Sequence, residues 1–184
     1  LWDEDYAGKI LMYNSSRDSM MVALRKLGYD INTRDEAEIN AAVQALKEQK
    51  PLVLAYVEDD VQDKMIAGEA ALAVMYSGDY QEIKGQNPDV EYVIPQEGSN
   101  VWTDAMVILK STKNKELAEK FINFMCRTDI ALLNVEEIRY ATPHTGALAE
   151  LDEETRNDKS IYPTDEQLEN CDTYEDLGEY TRLY

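Results

Sequence analysis

"KILMYNSSRDSMMVALRKLGY", Lys9 to Tyr29, is the stretch on which the fold turns. "KILMY" is a short apolar run that reads as a strand, and the chain passes from it without a linker into a helical pattern. Ser15 followed three residues later by Asp18 resembles a capping box at the helix start, and Gly28 is placed to end the helix in a left-handed cap. A strand feeding directly into a helix sets the helix N-terminus at the strand's end. On α/β sheets, ligands gather where strands end and loops or helix N-termini begin.

Downstream, "TRDEAEINAAVQALKEQK" carries Ile39, Ala42, Val43 and Leu46 as one apolar stripe, with Pro51 as the stop. "PLVLAYV" (Pro51 to Val57) reads as a buried strand, "DDVQDKMIAGE" as a short helix ending near Gly68, and "AALAVMYSGDY" as a strand ending in a turn at Ser77 and Gly78. "PDVEYVIPQEGS" predicts one more strand. "NVWTDAMVIL", Asn100 to Leu109, predicts another, buried one. Strands alternating with helices indicate an α/β layer, a largely parallel sheet covered on both faces. After Leu109, "NKELAEKFINFMCR" and "DIALLNVEEI" are consecutive helices, with Leu117, Phe121, Phe124 and Met125 at helical spacing on the first. The loop "RYATPHTGALAELDEETRNDKSIYP" leads to an acidic helix around "TDEQLEN" and a tyrosine-rich tail.

The chain's 184 residues suit one domain or two small lobes. Thirty-seven Asp and Glu against 18 Lys and Arg give a net charge of −19, which argues against a nucleic-acid phosphate partner and weakly favours cations, acidity that serves only solubility being the equal alternative. Cys126 and Cys171 lack metal-type spacing and read as free thiols. No phosphate loop, nucleophile elbow or HExxH pattern is present, and the single histidine, His144, reads as an exposed loop residue rather than a base. Enzymatic constellations are therefore poorly supported, and no cofactor is expected. A carboxylate-pair hydrolase is the remote alternative.

Trp102 and Asp104, two apart on a predicted strand, would share a face. A desolvated ammonium over an indole gains about 2 kcal/mol, and a carboxylate beside it supplies the counter-charge, so the pair suits an amine; a core Trp with Asp104 bonded to backbone in a turn is the other reading. Asp18 reads either as a helix-capping residue or as a ligand carboxylate, with Arg17 beside it either orienting carboxylates or solvated. Twelve tyrosines against two phenylalanines is a marked bias. Tyr13, Tyr76, Tyr140, Tyr174, Tyr180 and Tyr184 fall outside helix interiors or near element ends, where rings with a polar handle suit a recognition cleft. Tyrosinates holding iron(III) remain a second possibility.

"LWDEDYAGKI", "SSRDSMMVALRKLGY", "VWTDAM", "RYATPH" and "NDKSIYP", in this order and spacing, resemble the spermidine/putrescine-binding proteins of polyamine ABC transporters across nearly the whole chain. The resemblance implies a type II periplasmic-binding-protein (solute-binding protein) fold, α/β, two-lobed and hinged. It maps this chain mostly onto the second lobe, with the opening portion of the first lobe absent. Residues 1–100 are then second-lobe α/β domain, 101–141 a crossover strand and helices returning toward the first lobe, and 142–184 a segment running back to the second lobe. Trp102 and Asp104 match the family's amine-holding tryptophan and aspartate. Asp18 matches an acidic ligand position, Tyr140 a cleft tyrosine in "Y-x-T-P", and Tyr76 a position often held by tryptophan. Ser15 stands where the spermidine binder has a carboxylate, and Tyr174 near a glutamine. The implied partners are a polyamine ligand and ABC permease subunits, with no nucleic acid. The implied location is extracytoplasmic, with membrane association only through an anchor or fusion outside this chain. On this mapping the apolar face of the helix bearing Phe121 and Phe124 would pack on the absent first-lobe sheet, which predicts a dimer, a swap or local disorder.

Overall fold

The computed structural model describes residues 1–184. The chain separates into two compact units, one of Leu1–Trp102 with Asp165–Tyr184, the other of Thr103–Thr164.

The first unit is built around a three-stranded parallel sheet. β1 (Ile10–Tyr13) is central, flanked by β2 (Val53–Val57) and β3 (Leu72–Ala73) in the order β2-β1-β3. Ile10 pairs with Val53 and Leu72, and Leu11 with Ala55 and Ala73, with a register shift in the β2 ladder between Ile10 and Leu11. Ile10, Leu11 and Met12 are fully buried, as a strand covered on both faces must be. Parallel neighbours require crossovers, and helices supply them: α1 (Ser16–Leu27) and α2 (Glu36–Gln49) connect β1 to β2, and α3 (Val61–Ile66) connects β2 to β3. Met20, Ala23 and Leu24 of α1 pack against Ile39, Ala42 and Ala45 of α2. Leu11 and Val57 pack with Val61 and Met65 of α3 and with Ile83 of α4 (Ser77–Gln86).

α1 starts as its sequence predicts. Ser15 caps it through the backbone N–H of Asp18, and Gly28, at φ 75°, closes it with bonds to the carbonyls of Leu24 and Arg25. Other expectations are corrected. β2 is an edge strand rather than a buried one, with Leu54 and Tyr56 exposed. Ser77 and Gly78 open α4 instead of turning the chain, because the Tyr80 and Ile83 beyond them find a place in the core. The strand predicted at "PDVEYVI" forms no ladder: a groove of about 840 Å³, lined by Ala70 to Met75 on one side and Asp89 to Pro95 on the other, separates it from β3. The tail has turns at 165–170 where a helix was predicted, since seven residues without an apolar stripe do not sustain one.

In the second unit all regular structure is helical: α5 (Lys115–Met125), α6 (Thr128–Ile138), α7 (Thr145–Glu150) and α8 (Glu153–Asn157). The predicted buried strand "NVWTDAMVIL" is therefore absent. Residues 103–109 have no sheet within their unit to join, and Met106, Val107 and Leu109 are exposed; β-propensity expresses itself only against neighbours. Leu117, Phe121 and Phe124 of α5 are also exposed. His144 is not a free loop residue. Its Nδ1 accepts from the Ala147 N–H to cap α7, and its Nε2 lies 2.8 Å from the Cys126 carbonyl, an arrangement that fits a proton on Nε2. Both cysteines are free thiols.

Candidate functional site

The first unit gathers polar and aromatic groups where β1 ends and α1 begins. Asp18 stands in the first turn of α1, where the helix N-terminus favours an anion. Its own N–H is taken by Ser15, but its carboxylate does not close the capping box. One oxygen accepts a 2.8 Å bond from the Tyr174 hydroxyl and the other a 3.4 Å bond from the Tyr76 hydroxyl. Asp18 is only 8% exposed and makes no ion pair, so a buried carboxylate is met by neutral hydroxyls alone.

Three rings line up beside it. Tyr13, the last residue of β1, meets Tyr76 edge to face with centroids 4.7 Å apart, and Tyr76 meets Trp102 in the same manner at 5.1 Å. Tyr76 is carried there as the residue preceding α4, with extended backbone, and Trp102 follows the backbone bond from the Val101 N–H to the Asp172 carbonyl. A cavity of about 60 Å³ opens between Asp18, these rings, Met75 and Asn100. It is large enough for the end of a small ligand and too small for a whole one. The larger groove beside β3 is mostly apolar and contains no such buried, unpaired charge.

The tail brings Tyr174 to this place. Arg25 pairs with Asp172, Asn32 donates to the Thr173 carbonyl and accepts from the Glu175 N–H, and Arg34 donates to the Asp176 carbonyl. The Arg17 guanidinium lies between the rings of Tyr174 and Tyr184, 4.7 Å from each centroid.

Both hydroxyls on Asp18 resist ionisation. For Tyr76 and Tyr174 burial is the largest cause and the Asp18 charge the next, and both push the pKa well above 10.0; Arg17 opposes the shift at Tyr174. An unfolded tyrosine releases its proton near pH 10 while these hold theirs, so above that pH the folded state binds more protons and stability falls as pH rises. The stabilisation is fully present below pH 10 and is lost above it, by up to about 1.4 kcal/mol per pH unit at Tyr174 and by less at the more exposed Tyr76, where solvent screens the Asp18 charge. Urea midpoints measured at about pH 9 and about pH 11 should drop for wild type and drop less for Tyr174→Phe.

Of the residues singled out in the sequence, the structure joins Ser15, Asp18, Tyr76, Trp102 and Tyr174. Trp102 is 40% exposed rather than part of a buried strand. Asp104 and Tyr140 belong to the second unit, Asp104 exposed in the extended segment and Tyr140 following Arg139, which ends α6 at φ 57°. Tyr13 and Tyr184 stand out in the sequence only as two of the tyrosines near element ends, and Asn100 not at all; the readable signal for Tyr13 is its place at the C-terminal end of a strand before a helix. No three His, Cys, Asp or Glu side chains are grouped to hold a metal, and no helix is long and apolar enough to cross a membrane.

The chain is 36% identical, over its full length, to the spermidine/putrescine-binding periplasmic protein of Escherichia coli K12, and 31% identical to the spermidine/putrescine-binding periplasmic protein 1 of Haemophilus influenzae. It spans about half of these relatives, 53% and 51% of their length. Among solved structures it is similar to the spermidine/putrescine ABC transporter substrate-binding protein PotD of Streptococcus pneumoniae, with a TM-score of 0.83 and 34% identity over 99% of this chain and 58% of that one. The profile of the bacterial extracellular solute-binding protein family matches residues 1–164, and the chain belongs to that family.

Proposed function

We propose that this chain is part of the extracytoplasmic solute-binding component of an ABC importer, and that it binds a polyamine such as putrescine or spermidine without chemical turnover. One observation carries the reading: a carboxylate at Asp18, buried, with only neutral hydroxyl partners, beside a three-ring wall and a small cavity. A buried carboxylate without a cation costs several kcal/mol. A ligand ammonium supplies the missing charge and further hydrogen bonds. Methylenes next to that ammonium lie against Tyr76 and Trp102, whose faces attract cations as well. The binding relatives and the net charge of −19 support the same ligand class.

Ser15 offers a capping hydroxyl where the family's spermidine binder has a carboxylate, so this unit contributes one negative charge at Asp18. Asp104 and Tyr140 are assigned to amine binding on the family pattern alone. Iron(III) bound through tyrosinates is less well supported, because Tyr76 and Tyr174 donate to a carboxylate and their ionisation is pushed up. Relatives are substrate-binding proteins, which leaves the hydrolase reading without support.

Calorimetric titration at neutral pH with putrescine, spermidine and the uncharged analogue 1,4-butanediol tests the reading. Saturable heat is expected from both amines and none from the diol. No heat from either amine, or equal heat from the diol, overturns it.

A further inference from the structure

Arg17 and Asp18 are consecutive residues of opposite charge, and neither is paired with a counter-ion. Asp18 is met by two tyrosine hydroxyls. Arg17 donates to the Asn32 side-chain oxygen at 2.7 Å and to the Ile31 carbonyl at 3.5 Å, while its Nε is buried with no hydrogen-bond partner. The faces of Tyr174 and Tyr184 also lie against it. A guanidinium is planar, permanently charged and suited to a two-oxygen carboxylate; the same chain shows this at Arg127, which forks onto Asp129 two residues away. Tyr174 touches both charges at once, its ring against the guanidinium and its hydroxyl on the carboxylate. The separation between the two is thus bridged by one tyrosine.

We propose that the Tyr174–Arg17–Tyr184 stack sequesters an internal competitor. It keeps the Arg17 guanidinium off Asp18, so that the carboxylate stays open to a ligand's ammonium. Arg17 is a positioning residue in this scheme and does not touch ligand. Tyr184 has the same standing: its hydroxyl, 2.9 Å from the Thr33 carbonyl and 3.4 Å from that of Ile31, fixes its ring over Arg17. Two cation–aromatic contacts and hydrogen bonds to the Asn32 side chain and the Ile31 carbonyl hold the guanidinium in place of a carboxylate partner. A cation placed beside a cation-binding carboxylate is tolerated because its charge is spread over two ring faces and directed away from it.

The ligand class rests on the amine reading above, and the test separates the two. Putrescine affinity is measured by calorimetry for wild type, Tyr184→Ala, Arg17→Gln and the double variant, and crystal structures are determined for wild type and Tyr184→Ala. Opening the stack in Tyr184→Ala frees the guanidinium, which should come within ion-pair distance of Asp18 and weaken putrescine binding about tenfold. Removing the freed cation should undo the loss, with Arg17→Gln/Tyr184→Ala returning to within about threefold of wild type, as Arg17→Gln alone stays. A merely structural role for Tyr184 predicts no rescue. A double variant as weak as Tyr184→Ala, or a guanidinium that remains in place in Tyr184→Ala, overturns the proposal. Should Tyr184→Ala fail to fold, Asn32→Ala removes the other anchor and must show the same loss and the same rescue by Arg17→Gln. Absence of putrescine heat in wild type sinks the amine reading, and the guanidinium's position in Tyr184→Ala then decides the sequestration alone.

Discussion

Asp18→Asn should weaken putrescine binding by about 100-fold while leaving the fold intact, since removing one partner of a buried, hydrogen-bonded charge pair costs 2 to 5 kcal/mol or more and each 1.4 kcal/mol is tenfold. The substitution keeps the volume and keeps an oxygen for the Tyr174 hydroxyl, but removes the charge that an ammonium needs. Stability should shift little, within about 1 kcal/mol, because the unliganded protein no longer buries an unpaired anion. Affinity by calorimetry and unfolding by urea, measured on the same preparation, check both halves. An affinity within threefold of wild type would remove Asp18 from the site. A large loss of both affinity and stability would recast it as a structural residue.

The second large effect belongs to Gly98. Its φ of 95° lies where residues with a side chain are strained, and a Cβ built there would sit 1.8 Å from the Asn170 carbonyl oxygen. That contact is backbone, so no rotamer change relieves it. Gly98→Ala must push the tail away from residues 96–101, breaking the Asn170 bond to the Gln96 carbonyl and the pairing of Asn100 with Asp172. A loss of about 3 kcal/mol or more is expected, the range associated with strained backbone plus a backbone clash that no side-chain movement relieves. Tyr174 lies four residues beyond Asn170, so putrescine affinity should fall as well. Urea unfolding and calorimetry of Gly98→Ala test this. Wild-type stability would mean that the tail is not seated against Gly98.

The legible part of the fold was the part settled within one element. β1 with α1 could be read from "KILMYNSSRDSM" because the apolar run, the Ser15 cap and the Gly28 stop all act over a few residues. The strands expected at "PDVEYVIPQEGS" and "NVWTDAMVIL" misled for the opposite reason. A strand's existence depends on a neighbour, and here one faces a groove while the other lies largely in a unit of helices. The candidate site divided along the same line. Asp18 was visible as an acidic residue at a helix start, and Tyr76 and Trp102 as aromatic residues at element ends. Their mutual distances were not, nor was the exchange of a capping bond for two tyrosine hydroxyls, because that depends on a tail that closes over 156 residues of chain. The pairing of Arg17 with two rings was illegible for the same reason, since the composition shows a tyrosine excess and not where it is spent.

That long closure sets an order of assembly. Asp18 meets Tyr174 across a sequence separation of 156, whereas β1 and α1 are joined by neighbouring residues and β1 meets β2 only some 44 residues away, as in Leu11 with Ala55. Short loops close first and long ones late, because chain entropy must be given up before distant contacts return anything. During synthesis the sheet and its helices can form while the Asp18 carboxylate is still bathed in water. The carboxylate is buried only when Tyr174 docks on it, so this pocket closes after the sheet that frames it.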